Sequence, residues 1–121
     1  MAQSVVVVER DPQVAQCLAG GLRPHFKVVY VINSCEELRE KVSRDDPEAL
    51  VIDIECGRLT DVQSLHQDFP KLPIVCTHRI PDEELWMAAL EAGASDVCPT
   101  GDLNNVLTSV LRSVELARTA A

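Results

Sequence analysis

The chain lacks long apolar runs, paired cysteine motifs, an excess of basic residues and any internal repeat. Its first apolar stretch, Val5 to Val8, is far too short to span a bilayer, and nothing resembles a signal peptide. The five cysteines, Cys17, Cys35, Cys56, Cys76 and Cys98, stand well apart with no Cys-x-x-Cys pair. An odd number of thiols without a secretory signal points to reduced cysteines in a cytoplasmic protein. Together with His25, His66 and His78 they are too scattered for zinc, which needs clustered ligands. The net charge of −8 argues against direct nucleic-acid binding, because such surfaces need clustered Lys and Arg. No linker or low-complexity segment divides the chain.

With 121 residues, 46% hydrophobic and 25% charged, residues 1–121 are expected to form one soluble domain. The tail from about Leu116 to Ala121 is expected to fray or to begin a linker. The organising stretch is Ala49-Leu50-Val51-Ile52-Asp53, four apolar residues ending on an acid. It reads as a strand buried on both faces. Val5 to Val8, ending on Glu9, is a second such strand. Lys27 to Ile32, Ile74 to Thr77 and Val97-Cys98 supply three more.

Helices fall between the strands. Asp11-Pro12 gives an N-cap and a first-position proline, with Val14, Cys17, Leu18 and Leu22 at helical spacing. Gly20-Gly21 and Pro24 end that helix. Ser34 begins another, through about Arg44, with Glu37 at the capping-box position and Leu38 and Val42 inward. After the central strand, Gly57 and Thr60 mark a loop, and a short helix covers Val62, Leu65 and Phe69 up to Pro70. Pro81-Asp82-Glu83-Glu84 opens a helix that closes at Gly93. Asp102 starts the last, with Leu103, Val106, Leu107, Val110, Leu111, Val114 and Ala117 on one stripe. Five strands alternating with five helices predict an α/β domain, a parallel sheet with helices on both faces.

In open α/β sheets the carboxyl ends of the strands carry the chemistry. Asp53 is therefore either a reactive group or the cap of the following turn. Cys76 and Cys98 read as small core hydrophobes, and Cys56, just past the central strand, is the thiol to test for reactivity. His25 and His66 read as surface residues, and Glu36, Glu37 and Glu40 as a solvated helix face. Leu85 to Leu90, with Trp86 and Met87, is more apolar than one core-facing stripe requires. That surplus is either ordinary packing or an exposed contact patch.

The layout of acids after the first and third strands, with Thr77 closing the fourth, resembles the receiver domain of two-component response regulators. Asp11-Pro12, Leu50 to Asp53, Pro73 to Thr77, the run Ala89 to Ala94 and the last helix carry the likeness. The resemblance implies a flavodoxin-like three-layer α/β/α fold with strand order 2-1-3-4-5 and a site above strands one, three and four. It implies that Asp53 accepts a phosphoryl group from a sensor histidine kinase or another signalling protein. Mg²⁺ would be held by Glu9, Asp53 and the Glu55 backbone carbonyl, with Thr77 as the switch hydroxyl. Such a protein is no enzyme beyond self-phosphorylation and dephosphorylation. It also implies a possible homodimer through the fourth helix, fifth strand and fifth helix; the charge and the short apolar runs already point to no membrane and no nucleic-acid contact.

Four positions depart from that pattern. Arg10 stands where a second acid belongs, and Thr100, followed by Gly101, where a lysine does. Val97 replaces an aromatic, and His78 a small residue. A guanidinium about 4 Å from Asp53 would contribute on the order of 4 kcal/mol of attraction at an effective dielectric near 20. It would oppose a dication by a comparable amount. Arg10 is therefore expected to pair with Asp53 and weaken Mg²⁺ binding, leaving phosphorylation impaired. The alternatives are a fully competent Mg²⁺-dependent phosphoacceptor and, more weakly, a flavin or nucleotide carrier. The last is disfavoured because Glu9-Arg10-Asp11-Pro12 lacks the glycines that let backbone amides approach phosphates.

Overall fold

A computed structural model describes residues 2–55, 58–80 and 82–119. Cys56, Gly57 and Pro81, and the tail beyond Thr119, lie outside the described residues, so the expectations placed on them stand apart. The elements run β1 (Ala2–Val8), α1 (Pro12–Leu22), β2 (Phe26–Ile32), α2 (Leu38–Asp45) and β3 (Ala49–Asp53). They continue α3 (Leu59–Asp68), β4 (Ile74–His78), α4 (Glu83–Ala92), β5 (Asp96–Pro99) and α5 (Leu103–Thr119). The strands form one parallel sheet in the order β2-β1-β3-β4-β5.

All five residues of β3 are buried, because the strand has neighbours on both sides and helices on both faces. Alternation sends Val5, Val7, Val51 and Val75 to one layer, against Leu18 and Leu22 of α1 and Val106, Val110 and Val114 of α5. It sends Val6, Val8, Leu50, Ile52, Ile74 and Cys76 to the other, against α2, α3 and Ala89 of α4. Removing one such side chain, as in Leu50→Ala, costs about 2–5 kcal/mol in a close-packed interior.

Several local expectations change. Asp11 caps α1 as expected, accepting from the Gln13 amide at 2.9 Å. Cys17, placed on the inward stripe by spacing, is exposed, and Ala15 and Ala19 are buried instead. α2 begins at Leu38 with no side-chain cap, so the Ser34–Glu37 capping box does not form. A turn from the Cys35 carbonyl to the Leu38 amide carries the chain directly onto the buried Leu38. Thr60, expected in a loop, lies in α3, which starts at Leu59 and is capped at Phe69. α5 keeps its helical form past Leu116, and Arg118 pairs with Glu48 at 2.8 Å.

His66 is not a simple surface residue. Its ring lies so close to Gly93 that a Cβ there would fall 2.4 Å from His66 Cγ. Gly93 also holds φ at 113° as the C-cap of α4, a conformation that side chains rarely adopt. No helix among the described residues is long and apolar enough to cross a membrane.

Candidate functional site

Register brings the site together. Val8 pairs with Ile52, and Asp53 with Thr77, so Glu9, Asp53 and Thr77 meet at the carboxyl end of three adjacent strands. All three are buried, at 5%, 6% and 1% exposure, although each is polar. Asp53 Oδ1 accepts from the Glu55 amide at 3.1 Å, and Glu9 Oε2 accepts from the Asp11 amide at 3.2 Å. Both bonds are short-range turns that fix the carboxylates without neutralising them. Asp53 therefore caps the turn that follows β3, one of the two readings open to it.

No described Lys, Arg or His forms an ion pair with Glu9 or Asp53. Burial and the neighbouring Asp53 charge push the Glu9 carboxyl above its usual range, against the pull of the Asp11 amide. Glu9 Oε1, Thr77 Oγ1 and Thr100 Oγ1 are buried with no hydrogen-bond partner. Glu9 Oε1 is thus an unpaired carboxylate oxygen beside the Asp53 carboxylate.

Arg10 does not supply that charge. Its side chain is exposed and makes no ion pair with Asp53, which corrects the pairing expected from sequence. Glu9 turns inward at the end of β1, and Arg10 falls on the outward bend beside Asp11. Bringing the guanidinium inside would cost hydration and side-chain freedom. Thr100 reaches the same end of the sheet, its amide donating to the His78 carbonyl at 2.9 Å.

A cluster that spacing did not reveal lies beside the ends of β3 and β4. His78 Nδ1 accepts from the Ile80 amide at 3.1 Å, leaving Nε2 to face Glu55 Oε1 at 3.6 Å. Arg79 Nε lies 3.5 Å from Glu55 Oε2. The Glu55 side chain thus faces His78 and Arg79 at the end of β4, while its backbone carbonyl is the atom expected to serve a metal. The parallel pairing of β3 with β4 makes these partners adjacent.

At the start of β5, Asp96 accepts from Ser109 Oγ, and Cys98 Sγ lies 3.4 Å from that hydroxyl. Ser109 is buried, which the apolar stripe of α5 did not indicate. Cys76 and Cys98 are buried as expected, and burial pushes the Cys76 thiol up to about 12. On α4 only Ala89 is fully buried, while Trp86 and Met87 are exposed, so the surplus apolar residues form a surface patch.

No family model matches the chain. It is 30% identical, over 96% of its length, to a protein-glutamate methylesterase/protein-glutamine glutaminase of Syntrophotalea carbinolica. The chain spans 36% of the length of that curated relative. A CheY-like response regulator receiver domain protein from Methanospirillum hungatei superposes with a TM-score of 0.88 at 13% identity, over 100% of both chains. The isolated receiver domain of RcsB from Salmonella enterica, solved with the phosphomimetic BeF3⁻, superposes with a TM-score of 0.78 at 17% identity, over 97% and 99%. The chain therefore has the fold of a response-regulator receiver domain from end to end. Its strand order is the flavodoxin-like 2-1-3-4-5 expected from the sequence.

Proposed function

We propose that the chain is a receiver module of two-component signalling in which Asp53 accepts a phosphoryl group slowly and acts through protein contacts. The supporting observation is the buried meeting of Glu9, Asp53 and Thr77 at the carboxyl end of β1, β3 and β4, where no described basic side chain pairs with either acid. A carboxylate attacking a phosphoryl group joins two negative species, so positive charge must enter the site.

The donor set fits Mg²⁺. Two adjacent carboxylates, Glu9 with its orphaned Oε1 and Asp53, and the Glu55 carbonyl are hard oxygen donors, and Mg²⁺ commonly takes one or two carboxylates and keeps its waters. Glu9, Asp53 and the Glu55 carbonyl would hold the ion, which when bound neutralises the approach of the two anions. Asp53 Oδ2 is then the nucleophile, and Thr77 Oγ1 is free to donate to a transferred phosphoryl oxygen. Thr100 offers a hydroxyl where a cation is needed. The handicap therefore lies at Thr100 and in the missing second acid, rather than in an Arg10 blockade.

The partner is a sensor histidine kinase or another signalling protein, and the α4 patch around Trp86 and Met87 is the contact surface. The homodimer implied for α4, β5 and α5 would use the same patch. The esterase and glutaminase activities in the relative's name are not assigned to this chain.

The test is incubation with Mg²⁺ and a small phosphodonor, read as a mass increase on intact protein. The wild type is expected to be modified slowly, Asp53→Asn not at all, and Thr100→Lys faster by roughly 10²-fold, the scale of one electrostatic group at a developing charge. Equal rates for wild type and Thr100→Lys would instead support the fully competent phosphoacceptor, the reading favoured by the outward-facing Arg10. No modification of either protein would overturn both.

A further inference from the structure

Arg10 is an uncommitted cation beside two acids. Its side chain is exposed and forms no ion pair with any described residue. Its backbone is nonetheless fixed at the site. The Glu9 carboxylate accepts from the Asp11 amide at 3.2 Å, and it also meets the Arg10 amide and the Asp53 carboxylate. The Arg10 backbone and the Asp53 side chain are thus neighbours of one carboxylate, which puts Asp53 within an arginine's length of the Arg10 Cα. Glu9 and Arg10 also line one cleft of about 420 Å³ beside the ends of β1 and β2, with room for the side chain to turn.

The unmodified acids do not draw Arg10 in. Both are buried, and the hydration that a guanidinium would lose offsets their attraction. A phosphoryl group on Asp53 changes each of these quantities. It replaces the single carboxylate charge with about two and presents three strong acceptor oxygens. The interior beneath Asp53 is packed, so the added group extends outward, where a guanidinium can meet it without leaving water altogether. Arginine holds such oxygens in a two-bond fork. The other groups at that end of the sheet leave the place open. Thr100 offers a hydroxyl with no charge, and His78 and Arg79 face Glu55.

We propose that Arg10 is a phosphoryl-recognition residue, idle in the unmodified chain and swung onto the group that Asp53 has accepted. This role rests on Asp53 as the acceptor and adds the side chain that holds the product. Arg10 steadies the phosphorylated form and leaves the slow attack, limited at Thr100, unassisted. The substitution of a cation for an acid at this position then moves positive charge from the fifth strand to the first.

Beryllofluoride, a mimic of the phosphoryl group, tests it at saturating Mg²⁺, with bound fluoride read by fluorine NMR. Wild type is expected to bind, and Arg10→Gln to raise the dissociation constant about tenfold or more at low salt. Arg10→Lys should recover part of that loss, because a point charge lacks the fork. Lys71→Gln removes an equal charge at the opposite end of the sheet, before β4, and should match wild type. Without beryllofluoride, Arg10→Gln should melt with wild type, since the guanidinium has no partner to lose. Arg10→Gln binding as tightly as wild type, while Asp53→Asn does not bind, would overturn the proposal and leave Asp53 as the acceptor. An equal loss in Lys71→Gln, or a lower melting temperature of unliganded Arg10→Gln, would overturn it in the same way. Failure of wild type itself to bind would overturn both this role and the phosphoacceptor reading.

Discussion

The interior of β1 and β3 and the tips of the same strands are built on opposite principles. Val5 to Val8 and Leu50 to Ile52 are apolar, buried and satisfied by packing on both faces. One residue later, Glu9 and Asp53 are buried too but acidic, close together and, among the described residues, paired with no basic side chain. Stability is built in the first region and partly given up in the second. A carboxylate pair that awaits a positive charge is a cost to the fold until that charge arrives.

Substitutions sharpen this contrast. Leu50→Ala should lower unfolding free energy by about 2–5 kcal/mol in denaturant titration. A loss below about 1 kcal/mol would mean that the interior is less tightly packed than described. Asp11→Ala, at the loop that holds Glu9, should cost about 1 kcal/mol through loss of the α1 cap. It should also loosen the Glu9 turn, which a drop in Mg²⁺ affinity would register.

Glu9→Gln should act in the opposite direction. A carboxyl whose pKa is raised on folding makes the folded chain bind more protons than the unfolded one, above the ordinary value of 4.5. That favourable contribution is complete at low pH and lost as pH rises through the interval. Glu9→Gln should therefore be more stable than wild type at neutral pH, with the gap closing toward pH 4.5 in melts at several pH values. A gap that widened on acidification would contradict the assignment. Adding Mg²⁺ should narrow it from the other side, by stabilising only the wild type.

Thiol labelling separates the regions without mutation. Cys17 should react with an alkylating reagent in the native state. Cys76, deep beneath the site with its thiol pushed up to about 12, should react only on unfolding.

The alternation of apolar runs and amphipathic helices was plain in the residues, because period and composition are local properties. The acids ending β1 and β3 were equally plain. Arg10 was misplaced because its charge is local but its direction depends on how β1 turns into α1. The cluster of Glu55, His78 and Arg79 needed two loops brought side by side, and no spacing rule encodes that.

By itself the sequence determined the five strands, the five helices and the identity of Glu9, Asp53, Thr77 and Thr100. Tertiary structure alone decided exposure. Val28 and Val31 resemble Leu50 and Val51 as letters, yet β2 is an edge and β3 a centre. A strand's own residues set its hydrophobicity, whereas its neighbours, fixed by strand order, set how much of it meets water.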